Sequence, residues 1–297
     1  MITVVGDIII DEYLYGTVVG PNPEVVGGRK IRVFKRELKL GGAAAVAAMM
    51  MTYGKHPLLT SVLSNDRIGD WAMAELCAKN VRSEICRDPM RVASVKTRIL
   101  VDNQIQPDRL DVETLTPISD EHAQRVYTHI RGEPNDVVVL VDYGKGVLTD
   151  NLVHRIVSLN KITRSINFPL GIPIIVDPAM GLPWSRYKGA TLIKANVLEA
   201  IAELGQSYPV RMMAQLLSAQ HNCQIIITDG ERGMAWADFC GRRSGYVPAN
   251  KVTVVDPTGC GDTVVAAVAM RAGGPLPEVC EFAVAEAAKC VGRLGVL

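Results

Sequence analysis

The stretch Val254-Val255-Asp256-Pro257-Thr258-Gly259-Cys260-Gly261-Asp262-Thr263 carries the densest chemistry in this 297-residue chain. A polar, glycine-rich turn runs into a helix of small apolar residues, Val264 to Met270. Gly259 and Gly261 let backbone approach a ligand closely. Their amides, with that of Cys260, point outward where the helix begins. Unpaired N–H groups and the helix dipole make such a terminus an anion site. Asp262 needs a reason to be there, because a carboxylate repels a phosphate. General-base work supplies one: the acid takes a proton from a hydroxyl that attacks a phosphoryl group held by the amides. The other reading is a carboxylate favoured by the positive end of the helix dipole.

Further stretches suit the same chemistry. Gly41-Gly42 opens a run of tiny residues, so a helix can lie close to a sheet and to a ligand. Tight packing alone explains it equally well. Val4-Val5-Gly6-Asp7-Ile8-Ile9-Ile10-Asp11 brings two acids near the end of a first strand, where open α/β sheets bind ligands. A carboxylate there accepts hydrogen bonds from sugar hydroxyls. A solvated strand end is the plainer reading, and it suits Asp7 better than Asp11. Lys194-Ala195-Asn196-Val197-Leu198-Glu199 has the spacing of a capping box. The same spacing projects an amide and a carboxylate toward a Mg2+–phosphate group. Ile227-Thr228-Asp229-Gly230-Glu231-Arg232-Gly233 reads as a hairpin-type turn that can cover a nucleotide.

Absent motifs narrow the field. No G-x-x-x-x-G-K-[ST] is present, which excludes a P-loop. There is no H-E-x-x-H, and no G-x-S-x-G or G-x-G-x-x-G follows a strand. With 32 basic and 31 acidic residues the net charge is +1, too little excess for a nucleic-acid coat or an anionic-membrane binder. Seven scattered cysteines form no C-x-x-C pair, so reduced thiols are expected rather than a disulfide frame or a zinc site. The N-terminus lacks the basic region of a signal peptide, and no apolar stretch approaches the roughly 18 residues of a membrane span. A cytoplasmic protein is expected.

These residues need elements to position them. Strands are predicted at Ile2–Ile10, Leu58–Leu63, Val137–Val141, Ile172–Asp177, Ala190–Lys194 and Gln224–Thr228. Helices are predicted at Gly42–Tyr53, Ile68–Asn80, Asp120–Arg131, Asn151–Leu159, Val197–Leu204, Val210–His221, Gly261–Ala272 and Pro277–Gly292. Apolar strands alternating with helices imply an α/β fold with a mainly parallel sheet covered on both faces. Glu24–Glu37 and Val92–Glu113 break that rhythm by alternating apolar and polar residues, the period of exposed antiparallel strands. They read as a small β-lid inserted at about 22–38 and 92–113, within one domain spanning 1–297.

The Gly41-Gly42 segment and Asp256-Pro257-Thr258-Gly259-Cys260-Gly261-Asp262-Thr263 together resemble the two signatures of the ribokinase-like (PfkB) carbohydrate kinases. The likeness runs along nearly the whole chain. Gly6 to Gly16, Pro23-Glu24, Asp142-Tyr143-Gly144-Lys145-Gly146, Arg186 to Leu192 and Gly292-Arg293-Leu294-Gly295 are most similar to the branch that phosphorylates heptose 7-phosphate at O1. The resemblance implies a three-layer α/β/α fold with a mainly parallel sheet and a β-lid. It implies Asp262 as catalytic base and Gly259, Cys260 and Gly261 as the anion hole. Asn196 and Glu199 would organise Mg2+ and the ATP phosphates, Glu199 acting on the metal indirectly, and Thr228 and Gly230 would flank the nucleotide. Asp11, Gly41 and Gly42 would hold the sugar. Asp256 and Thr258 fall where relatives bind a monovalent cation such as K+. The lid would close over a sugar or sugar phosphate and pair with a second lid in a homodimer.

The departures from the family pattern fall mainly on the substrate side. Ala45 stands where relatives carry a sugar-contacting Asn, Gly20 where the heptose branch has an Arg, and Asp177-Pro178-Ala179-Met180 lacks that branch's lysine. Val284 replaces an Asn near the adenine. A buried phosphate without cations is costly, so shifted or weakened sugar specificity is expected. A kinase for another sugar or a nucleoside, and a catalytically weak pseudokinase that only binds ligand, are the competing readings.

Overall fold

The computed structural model describes residues 1–102, 104–162, 171–253 and 256–292, the side chains of 161 and 162 excepted. Val254, Val255 and the Arg293–Gly295 stretch lie outside them. In chain order the strands and helices are β1 (Ile2–Gly6), β2 (Ile8–Pro21), β3 (Arg29–Gly42), α1 (Ala43–Thr52), β4 (Leu58–Ser64), α2 (Arg67–Ala78) and β5 (Arg82–Asp88). Next come β6 (Ser94–Val101), β7 (Gln104–Val112), α3 (Asp120–Arg131), β8 (Val137–Val141), α4 (Asp150–Ile162), β9 (Ile174–Asp177) and β10 (Leu192–Asn196). The rest are α5 (Val197–Leu204), α6 (Val210–His221), β11 (Gln224–Thr228), β12 (Gly233–Ala237), β13 (Ser244–Pro248), α7 (Cys260–Met270) and α8 (Leu276–Val291).

Nine strands form the central sheet in the order β13-β12-β11-β10-β9-β8-β1-β4-β5. All pairs are parallel except the two at the β13 edge. Alternation within the strands divides the core. Val139 and Val141 face a cluster with α1, α2, α7 and α8, while Val138 and Leu140 face α3, α4, α5 and α6. This gives three layers, with helices on both faces, as the apolar strand runs require.

A second sheet has the order β3-β2-β6-β7. The expected single strand Ile2–Ile10 is broken at Asp7: β1 belongs to the central sheet, and β2 leaves it at Ile8 to begin the small one. The small sheet therefore starts well before residue 22, and β3 runs on to Gly42. Its outer residues alternate, but those near the junction are buried on both faces, which hid the strand period. Strands β5, β12 and β13 were not expected. β5 is a charged edge strand, and β12 and β13 are short hairpin strands flanked by glycine.

Candidate active site

Gly259 caps α7 with φ 77°, a left-handed conformation that glycine adopts without strain. The turn that results bonds the Cys260 amide to the Pro257 carbonyl at 3.2 Å. The expected set of three outward amides thus has one member held by the protein. Those of Gly259 and Gly261 make no hydrogen bond among the described residues. Asp262 sits in the first turn of α7, 4% exposed. The Tyr143 hydroxyl donates to its Oδ1 at 2.9 Å. Burial, with Asp177 and Asp11 nearby, raises the Asp262 carboxyl to about 7, although Tyr143 and Lys194 oppose the rise. A carboxyl there is divided between its two forms at neutral pH.

Two cavities meet at the start of α7. One, of about 670 Å³, is lined by Thr228, Gly230, Cys260, Gly261, Val264 and Val284 among others, and is mainly apolar. The other, of about 580 Å³, is polar and includes Lys96, Tyr143, Lys194, Asn196, Glu199 and Gly261. Both are in the size range of small-molecule sites. Among the described residues, Gly261 is the one they share. Asp262 follows Gly261 directly, just behind this shared wall, and its Oδ1 is held by Tyr143, which lines the polar cavity.

Asn196 and Glu199 form the capping box at α5: the Asn196 amide donates to Glu199 Oε2 at 2.8 Å, and the Glu199 amide donates to Asn196 Oδ1 at 2.9 Å. Both also line the polar cavity. Burial, aided by Asp177, raises the Glu199 carboxyl to about 7 against the pull of Lys194. Lys194 is buried and donates to Asp177 Oδ1 at 2.9 Å. Burial works against its charge, but Asp177, Glu199 and Asp262 outweigh it and hold its pKa above the ordinary value. Thr228 ends β11, where its hydroxyl donates to the Ala195 carbonyl at 3.3 Å, and Gly230 follows in the β11–β12 turn.

The early acids are both buried. Asp7, 1% exposed, accepts from the backbone amides of Tyr143 (2.8 Å), Lys145 (3.1 Å) and Val147 (3.1 Å). It is a clamp on the loop after β8, not a solvated strand end. Asp11 pairs with Arg98 at 2.5 Å. A Cβ on Gly41 would stand 2.6 Å from Asp11 Oδ2, and one on Gly42 would stand 3.4 Å from the Tyr143 ring. Asp11, Gly41 and Gly42 are thus gathered beside the polar cavity without lining it. Asp256 accepts from the Thr258 amide at 2.9 Å and from the Tyr13 hydroxyl at 3.2 Å.

Sequence reasoning passed over Tyr143, Lys96, Arg109 and Lys145 as site residues. A polar loop directly after the apolar strand β8 was the available signal, since parallel sheets bind ligands at those strand ends. Lys96 and Arg109 gave no such signal, because they lie on alternating strands that read as exposed. The Lys96 ammonium makes no hydrogen bond or ion pair among the described residues and stacks on the Tyr143 ring, 4.6 Å from its centroid. Burial holds it below the ordinary lysine value, and the cations Arg109 and Lys145 add to the effect against Asp11. Arg109 is paired to Asp111 and Lys145 to Glu113. Of the substrate-side departures, Ala45 is buried within α1 and lines neither cavity, and Gly20 lies at the far end of the small sheet.

Known proteins are similar to this chain in sequence or in fold. The bifunctional protein HldE of Trichlorobacter lovleyi is 34% identical over 98% of this chain and 59% of its own length. That of Helicobacter hepaticus is 31% identical over 99% of this chain and 61% of its own. The chain therefore spans about three fifths of these curated relatives. Among solved structures, phosphofructokinase-2 from Escherichia coli in complex with fructose-6-phosphate superposes with a TM-score of 0.80 at 17% identity, covering 99% of this chain and 94% of that one. Ribokinase from Thermotoga maritima gives 0.74 at 18%, covering 100% and 94%. These two likenesses are of fold. The sequence profile described as pfkB family carbohydrate kinase matches residues 1–297, and with a buried carboxylate set at a glycine-capped helix start between two cavities, the chain belongs to that family of carbohydrate kinases.

Proposed function

We propose that the protein transfers the terminal phosphoryl group of ATP to a hydroxyl of a phosphorylated sugar, of the heptose 7-phosphate type. The observation that carries this reading is Asp262, held behind Gly261 at the junction of an apolar and a polar cavity. The apolar cavity, edged by Thr228 and Gly230, takes the nucleotide, and the polar one takes the sugar. The acceptor oxygen attacks the γ-phosphorus, its proton passes to Asp262, and the bond to the β-phosphate oxygen breaks to release ADP. The Gly259 and Gly261 amides and the Lys194 ammonium face the charge that develops on the transferred group. The small sheet acts as a lid that keeps water, the competing acceptor, away.

Three cations support a phosphorylated substrate. Lys96, Arg109 and Lys145 share the polar cavity, and Lys96 has no anion of its own among the described residues. A phosphate on the sugar would meet that charge. These residues stand in for the basic groups that the sequence lacks near Gly20 and Ala179.

Among the described residues no group of three or more His, Cys, Asp or Glu side chains is arranged to hold a metal alone. Mg2+ fits as a companion of the nucleotide phosphates, with Glu199 and Asn196 at the cavity wall as its protein partners, often through water. When bound, it would neutralise phosphate charge. Each Asp256 carboxylate oxygen accepts one hydrogen bond, from Thr258 or Tyr13, and keeps a lone pair with which it could hold K+. A homodimer through the small sheet is supported by its exposed apolar residues, such as Val18, Phe34 (69% exposed), Leu110 and Val112. We place the enzyme in the cytoplasm, where its free cysteines stay reduced.

ADP release from ATP tests the reading across neutral sugars, sugar 6- and 7-phosphates and nucleosides, with Asp262→Asn as control. Turnover confined to sugar phosphates and lost in the control is expected. Preference for a neutral sugar or nucleoside overturns the substrate class. Thermal shifts with ligand but no ADP from any acceptor overturn the activity.

A further inference from the structure

The loop after β8 is held more firmly than a surface loop needs to be, and Tyr143 is the residue it presents. Three of its amides are tied to Asp7, including that of Tyr143 itself. On the ring, Lys96 stacks from the small sheet at 4.6 Å, and bare Gly42 leaves room on another side. The hydroxyl ends on Asp262 Oδ1, and no hydrogen bond among the described residues reaches Oδ2. Tyr143 also lines the polar cavity, whereas Asp262 does not.

We propose that Tyr143 is the positioning residue of the Asp262 base: its hydroxyl fixes Oδ1, leaves Oδ2 for the acceptor hydroxyl, and sets how readily the carboxylate gives up its proton. This rests on the reading of Asp262 as the base. The charged groups around that carboxylate are Asp177 at the end of β9, Asp11 on β2 and Lys194 on β10. The two acids and burial favour the protonated form, which cannot act as a base at neutral pH. The Tyr143 hydrogen bond favours the ionised form, because a carboxylate accepts it more strongly than a carboxylic acid does. Lys194 acts in the same direction, but it already serves Asp177.

A tyrosine that merely filled space would be replaced by phenylalanine without moving the titration of the base. The test is therefore the pH dependence of kcat for Tyr143→Phe, with ATP and the best sugar acceptor from the panel. The acid limb is expected to move up by about one pH unit. At pH 6.5 kcat should fall roughly tenfold, with the KM for ATP within about twofold of the parent. A limb that stays in place overturns the proposal. Asp7→Asn supplies a second route should the phenylalanine variant fold poorly. It loosens the loop without touching Asp262 and should move the limb the same way by less, and an unmoved limb in a folded Asp7→Asn protein also counts against the proposal. Asp262→Asn run in parallel separates the two readings. Full activity there removes the base itself, whereas loss of activity there with an unmoved limb in Tyr143→Phe removes only the role of Tyr143.

Discussion

Nζ of Lys194 lies 3.5 Å from the point a Cβ on Gly261 would occupy, and the same ammonium bonds Asp177 Oδ1 at 2.9 Å. A buried cation therefore faces a bare Cα in the wall between the two cavities. Gly261 lines both cavities and has no side chain of its own to stand between its backbone and them.

Gly261→Ala follows from this contact. The added methyl meets Lys194 at an ordinary van der Waals distance, so the protein folds, and alanine in a helical position is favoured over glycine by up to about 1 kcal/mol. The melting temperature should stay level or rise, while turnover falls at least roughly tenfold because the methyl occupies the phosphoryl path. Scanning calorimetry and ADP release, run on one preparation, check both halves. Unchanged turnover would place the transfer elsewhere.

Asp262 links stability to pH. Its carboxyl is raised to about 7 from an ordinary 3.8, so the folded state holds the proton more tightly than the unfolded state. The stabilisation that gives is full below about pH 3.8 and is lost as pH rises through 7. Asp262→Asn removes the cost of the buried charge. Its urea midpoint should exceed the parent's at pH 8, and the gap should close toward pH 4, while turnover falls by roughly 10² to 10⁴. Equal midpoints at pH 8 would contradict a buried, ionised Asp262.

Lys96 separates sugar phosphates from sugars. Lys96→Met keeps much of the side-chain length over the Tyr143 ring and removes the charge. The KM for a sugar phosphate should rise roughly tenfold or more, and the KM for ATP should stay within about twofold. A loss of equal size with a neutral sugar would mean that Lys96 serves the lid rather than a phosphate.

Asp7 answers for three amides. Asp7→Ala leaves buried donors without their acceptor, at a cost of about 2–4 kcal/mol in urea unfolding. Asp7→Asn retains one good acceptor oxygen and should cost less. Equal, small losses for both would show that the loop after β8 finds other partners.

Much of the frame was legible in the chain. The apolar strands fixed on by β-branched runs, the helices between them, and the glycine-capped start of α7 follow from local period and composition, because each depends on residues within a few positions. The capping box of Asn196 and Glu199 is local in the same way, and both its hydrogen bonds are present. The small sheet was harder to delimit. Near Asp7 the strand is buried on both faces, so alternation, the signal for a half-exposed strand, fades where β2 begins.

What sequence determined is a family, a layered fold and one carboxylate at a helix start. Tertiary structure decided what surrounds that carboxylate. Tyr143 and Asp262 stand 119 positions apart and meet only because β8 lies near the middle of the sheet while α7 packs across its face. Lys96 comes from a different sheet. The Cys260 amide turns inward through a bond to Pro257 that glycine spacing does not reveal. Proton affinity and charge in the cavity depend on burial and on neighbours distant in the chain, and those distances are set by packing rather than by any local pattern.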